Sequence, residues 1–265
     1  MIFPNSICGI EKAGLLFFLL LLANFSFCQI NDSTKQILNF KGSVSATNNG
    51  FSLVPTFSLG KPALMTGFSF SGKGRLSFEP QFWYSLKNFK PWSFIFIWRY
   101  KAVRKEKFQF TLGTHLPAIN FKSGTVIENG VEKDIVKARR FYPAVELIPV
   151  YQLKKDISLS LYFLFGTGIE PEVSSKNFFL SLRPDFNRIP LSKQFYLRLN
   201  PQFYYLRIDD TGGFYTAASL TLARQEFPFS VSTMINKAIK SDIATKDFDW
   251  NVSLNYAFGK NYVER

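Results

Sequence analysis

Six charged side chains stand where an extended chain could bring them together: Glu79, Arg99, Glu146, Arg183, Asp185 and Arg198. Each lies in a stretch that alternates apolar and polar residues, and each belongs to the polar set. If 87–90 closes a hairpin, Glu79 falls opposite Arg99. A turn near 190–193 sets Asp185 opposite Arg198 and Arg183 opposite Asn200, and one near 154–155 sets Glu146 opposite Tyr162. Such a belt has two readings. The groups neutralise one another, because an unpaired buried charge is costly, or they form an ion-selecting constriction. Opposite signs at pairing distance favour neutralisation. The only histidine, His115, shares the polar parity of Gln109, Thr111 and Gly113. A hydrolase would need a serine and an acidic or amide partner beside it. No partner set stands at fixed spacing, and no GxSxG elbow occurs. A polar lining residue is the better reading of His115.

Cofactor chemistry finds as little support. One histidine and two cysteines, Cys8 and Cys28, leave no metal-ligand constellation. "GTG" at 166–168 and "DDTGG" at 209–213 are turns with no helix behind them, so neither reads as a phosphate loop. Asp209, Asp210, Asp242, Asp247 and Asp249 read as solvated loop charge. No catalytic residue, cofactor or metal is expected.

The elements that must position the charges are strands. Leu76, Phe78, Phe82, Tyr84 and Leu86 share one parity. So do Trp92, Phe94, Phe96, Trp98 and Tyr100, and then Ile157, Leu159, Leu161, Phe163 and Phe165. Period-two segments are expected at 51–59, 63–71, 74–86, 91–103, 107–118, 138–153, 156–169, 177–189, 194–208, 213–225, 227–238 and 247–259. Leu38–Thr47 also alternates weakly and could extend or add a strand, which leaves ten or fourteen strands as alternatives to twelve. Odd-numbered connections are mostly long ("NFKSGTVIENGVEKD", "EPEVSSKN", "IKSDIATKD") and even-numbered ones tight ("GKG", "RKE", "KK", "QE"). Long loops on one rim and short turns on the other describe an outer-membrane barrel. Prolines 55, 80, 143, 149, 184 and 201 fall inside these segments, and a bulge at each is the expected accommodation.

At the N-terminus, "GLLFFLLLLANFSFCQ" holds an apolar run too short to span a bilayer as a helix. It reads as an export signal cleaved after Cys28, with a lipid-anchored Cys28 as the rival. The expected organisation is a signal peptide at 1–28, a leader at 29–50 and a barrel at 51–265. The fold class is all-β: a single transmembrane antiparallel up-and-down β-barrel of about twelve strands. In a barrel the last strand turns Trp250, Val252, Leu254, Tyr256 and Phe258 to lipid and pairs with the first. The charge of +13 suits an anionic surface. Outer-membrane lipids, including lipopolysaccharide phosphates, fit it. Nucleic acid does not, because no recognition module is present.

The "CQ" at the cleavage point and the aromatic terminal strand "WNVSLNYAF" resemble outer-membrane β-barrels of Bacteroidota. The stretch "FKGSVSATNNGFSLVPTFSLGKPALMTGFSFSGKGRLSFEPQFWYSL" is similar to members of an uncharacterised barrel family there. The resemblance implies a Gram-negative outer-membrane location, periplasmic termini and insertion by the barrel-assembly machinery, and it brings no catalytic residue. The expected function is a small passive channel or transport-related, porin-like barrel for small solutes. A structural or interaction barrel binding lipid, sugar or protein through its outer loops is the alternative. A membrane-embedded hydrolase ranks third.

Overall fold

Aromatic and β-branched residues at every second position suit a pleated wall with two unlike sides. The computed structural model describes residues 37–128, 131–170 and 176–263. The expected signal sequence, with Cys8 and Cys28, and leader residues 29–36 lie outside them. Twelve strands form: β1 Ile37–Thr47, β2 Ala63–Ser71, β3 Leu76–Ser85, β4 Pro91–Arg104, β5 Phe108–Glu128 and β6 Val131–Lys154. They continue as β7 Ile157–Gly168, β8 Lys176–Pro190, β9 Phe195–Ile208, β10 Thr211–Arg224, β11 Phe229–Ser241 and β12 Phe248–Val263. Each pairs antiparallel with its chain neighbours, and β1 also pairs with β12, so the sheet closes and no edge is left.

The expected first strand is in the wrong place. Leu38–Thr47, which the sequence left undecided, lies within β1, while 51–59 holds a single 3-10 turn, Pro55–Phe57. Among the described residues the first strand of the barrel is therefore 37–47 and not 51–59. Closure explains the exchange. β1 runs in register with β12 from Leu38 opposite Tyr262 to Thr47 opposite Ser253. Residues 51–59 carry Pro55 and close on themselves, Ser52 N–H donating to Ser58 Oγ at 2.9 Å and Leu59 N–H to the Gly50 carbonyl at 2.8 Å. At the seam Gly42 faces Phe258. A Cβ on Gly42 would lie 2.3 Å from the Phe258 ring, so only glycine lets that ring cover the joint.

"NFKSGTVIENGVEKD" is likewise not an open loop. β5 and β6 continue through it as one long hairpin, in register to Glu128 opposite Val131. The expected bulge at every proline is also not found. Pro55 lies outside any strand, and a register shift coincides only with Pro143, between Phe141 and Ala144 against β7. Leu182–Phe203 and Phe186–Leu199 hold one register across β8 and β9. Pro184 and Pro201 therefore face each other, and two residues without an N–H share one gap in the ladder.

Both faces of the wall are now assigned. On β12, Phe248, Trp250, Val252, Leu254 and Tyr256 are exposed on the outer surface while Asn251 is buried within. Leu159 and Leu161 of β7, Leu180 and Leu182 of β8, and Leu220 and Leu222 of β10 extend the apolar outer surface. Inside, two apolar clusters sit toward the long-connection rim. One joins Phe179, Tyr204, Leu206, Tyr215 and Ala217; the other joins Ile95, Ile97, Ala118 and Phe141. Trp92 leaves its expected outward row, because a bulge between Trp83 and Tyr84 turns it inward against Trp83, the rings tilted with centroids 4.9 Å apart.

Candidate functional site

Just below the apolar clusters, Glu146 of β6 is wholly buried in the lumen. Arg99 of β4 reaches it across β5, Nε donating to Oε2 at 2.8 Å and Nη2 to Oε1 at 3.1 Å. His115 Nε2 lies 2.8 Å from Oε1, and the Tyr162 hydroxyl of β7 donates to the same oxygen. A carboxylate offers about four lone-pair sites, and Glu146 makes four contacts, three on Oε1 and one on Oε2. Arg99 Nη1 also pairs with Glu79, whose other oxygen accepts from Ser77 Oγ at 2.9 Å. Four neighbouring strands thus meet through one carboxylate. Gly113 makes the meeting possible, since a Cβ there would fall 2.5 Å from Glu146 Oε2.

Both contacts differ in geometry from their expected register. Glu79 stands opposite Ile97 and Ser77 opposite Arg99, so the Glu79–Arg99 bridge is diagonal. Glu146 stands opposite Leu164, and Tyr162 also reaches it diagonally. The expected pairing of Asp185 with Arg198 does not form. The β8–β9 register puts Asp185 opposite Asn200, whose Nδ2 donates to it at 2.8 Å. Arg198 lies closer to the short-turn rim, exposed, and donates to the Tyr196 hydroxyl at 2.9 Å. Arg183 likewise faces Gln202 rather than Asn200; its Nε donates to Gln202 Oε1 at 3.2 Å and to Ser181 Oγ at 3.4 Å. The error was two residues: the β8–β9 turn pairs Pro190 with Tyr196, later in the chain than a turn at 190–193 would, and the bulge between Phe186 and Ile189 returns only one residue of that shift. The belt is therefore one saturated cluster, around Glu146, and one looser cluster, around Arg183.

A cavity of about 300 Å³ opens above both. Trp83, Ile95, Ile97, Phe141, Phe179 and Leu206 wall it; Arg99, His115, Glu146, Tyr162 and Arg183 lie among its other lining residues. The segment between β1 and β2 closes over it from the long-connection side. Leu53 and Val54 pack on the Phe179–Tyr204 cluster, and Phe57 on the facing one, its ring 5.0 Å from Phe141. Asn49 ties the base of this segment to β12, Nδ2 donating to Asp249 Oδ1 at 2.6 Å and to the Trp250 carbonyl at 2.9 Å.

Sequence reasoning placed the charges inside but did not foresee this apolar storey. A signal was present. Over 203–206 (Phe-Tyr-Tyr-Leu) and 178–180 (Phe-Phe-Leu) the alternation lapses, so apolar residues point to both faces.

At the long-connection rim, Arg140 Nε donates to Glu170 Oε1 at 2.6 Å and Arg140 N–H to Oε2 at 2.7 Å. Slight burial pushes the Glu170 carboxyl up, but the Arg140 bonds outweigh it and hold it below the usual carboxylate range. Asp209 and Asp249 are engaged in hydrogen bonds, the first accepting from the Lys176 N–H at 2.8 Å. No group of three or more potential metal ligands occurs among the described residues.

No protein-family model matches this chain, and no curated protein matches it. Solved structures do resemble it. A KdgM porin superposes with a TM-score of 0.50 at 8% identity, over 83% of this chain and 99% of that one. An outer membrane channel from Pseudomonas putida F1 gives 0.46 at 9% identity, over 86% and 96%. A NanC porin gives 0.41 at 10% identity, over 86% and 100%. Closed in a ring of twelve antiparallel strands, the chain has the fold of a porin-type β-barrel.

Proposed function

We propose that the protein is an outer-membrane channel of narrow bore that admits small solutes through a charged lumen. The observation that carries this reading is the inversion of the wall: an apolar outer surface around a lumen lined by Arg99, Glu146, Arg183 and Asp185. A soluble protein would hide the outer rows, since contiguous exposed apolar patches of this extent are rare outside membranes. Backbone groups in lipid must be paired within the protein, which a closed barrel alone achieves with strands. Both termini belong on the short-turn rim, the periplasmic one in barrels of this kind. The Bacteroidota assignment rests on the "CQ" at 28–29, the aromatic last strand and the stretch from Phe40 to Leu86 that suggested it. No hydroxyl nucleophile is hydrogen-bonded to His115 among the described residues, and the imidazole is instead held by Glu146.

The inward segment favours a second reading. Leu53, Val54 and Phe57 narrow the outer end of the lumen, which suits a barrel that binds as much as it conducts. Conductance across a planar bilayer separates the two. The channel reading expects discrete openings for the intact protein, and a severalfold larger step when residues 51–59 are replaced by a short Gly-Ser linker. A silent trace from the intact protein, opened only by that replacement, supports the binding barrel. Silence from both rejects the channel.

A further inference from the structure

The three carboxylates of the belt are all committed. Glu146 accepts from Arg99, His115 and Tyr162, Glu79 from Arg99 and Ser77, and Asp185 from Asn200 and Ser160. Arg183 is left over. Its guanidinium lies 4.1 Å above the Tyr162 ring, and its Nε is oriented by Gln202 and Ser181. Among the described residues no carboxylate comes within ion-pair distance of it. With Nε tethered and one face on an aromatic ring, the two Nη groups form the remaining edge of a planar fork. That edge matches a carboxylate in bidentate geometry. Arg183 also lines the 300 Å³ cavity, beside the Arg99–Glu146 pair, and much of the remaining wall is apolar. The volume is at the small end for ligand sites, and apolar walls with a few fixed polar groups are their usual form.

We propose that this cavity binds a small organic carboxylate with an apolar body, its carboxylate on the Arg183 fork and its body against Ile97, Phe141 and Phe179. The inference rests on the channel reading only in assigning the ligand as cargo; the binding itself needs no conduction. An acid such as 4-phenylbutyrate satisfies Arg183 and fills the apolar storey together. A neutral amide of the same shape fills the walls and leaves the cation unpaired. A polar acid such as glucuronate pairs the cation but sets hydroxyls against Ile97, Phe141 and Phe179, which cannot bond them.

The test is titration calorimetry on the barrel in a zwitterionic detergent, so that no detergent anion competes. The expected result is saturable binding of 4-phenylbutyrate, at least tenfold tighter than 4-phenylbutanamide and than glucuronate. In Arg183→Gln, which keeps a side chain able to bond Gln202, the acid-over-amide preference falls to near unity while amide binding persists. Resistance of the unboiled variant to SDS on a gel shows that it has folded. Equal binding of acid and amide overturns the proposal, as does an unchanged preference in Arg183→Gln. Glucuronate binding as tightly as phenylbutyrate overturns the apolar-body assignment, and no binding of any probe overturns the site. Binding with a silent bilayer trace would keep this site and reject the channel, whereas conduction without binding would do the reverse.

Discussion

The Glu146 and Arg183 clusters use the same residue types on adjacent inward faces, yet they are built for different ends. Around Glu146 both oxygens are bonded, by four contacts in all, and the carboxylate is wholly buried, so four strands depend on one side chain. Around Arg183 the partners are neutral: Gln202, Ser181 and the face of Tyr162. A saturated ion cluster fixes structure, because removing any member strands the others without solvent. A cation held by neutral dipoles keeps its charge available. Arrangement, not composition, separates the structural half of the belt from the half that can meet a solute.

Removing the hub is the severest way to break that contrast. Glu146→Ala leaves Arg99 with Glu79 alone and strips His115 and Tyr162 of their acceptor. A loss of about 3–5 kcal/mol is expected, measured by urea unfolding in micelles. Gly113→Ala comes next. Its methyl would enter the space of Glu146 Oε2, so a cost of about 1–3 kcal/mol is expected from overpacking, read by the same unfolding curve. Arg183→Gln should change stability by no more than about 1 kcal/mol, the worth of a partly exposed cation–π contact. A loss as large as that of Glu146→Ala would erase the distinction between the clusters.

The smallest effect belongs to the rim pair, Arg140–Glu170. The folded pKa of Glu170 lies below its unfolded value. Its contribution is therefore whole above the unfolded pKa and fades as pH falls through the folded one. Glu170→Gln should cost less than about 1 kcal/mol at neutral pH, as exposed pairs do. The variant and the parent should converge on acidification below the usual carboxylate range. Unfolding midpoints followed across that pH interval check the sign.

Much of this was legible in the chain. Alternation from Phe248 to Phe258 announced a ribbon with one apolar and one polar face, and the uneven connections announced two unlike rims. The inward parity of Glu79, Arg99, Glu146, Arg183 and Asp185 also followed, because a period of two leaves a strand residue only two directions. What failed was spacing along the strand. A bulge near Tyr84 and a β8–β9 turn that pairs Pro190 with Tyr196 consume residues without changing composition, so Trp92 turned inward and Asp185 missed Arg198.

By itself the sequence determined the strand period, the side most strand residues take where no bulge intervenes, and the excess of cation over carboxylate. These are local properties, carried by the pleat and by residue type. Tertiary structure alone decided that residues 37–47 close the ring, that Phe57 and Val54 fold into it, and that Glu146 is saturated while Arg183 is not. Closure, insertion and saturation each depend on residues far apart in the chain, brought together by the curvature and register of the whole sheet.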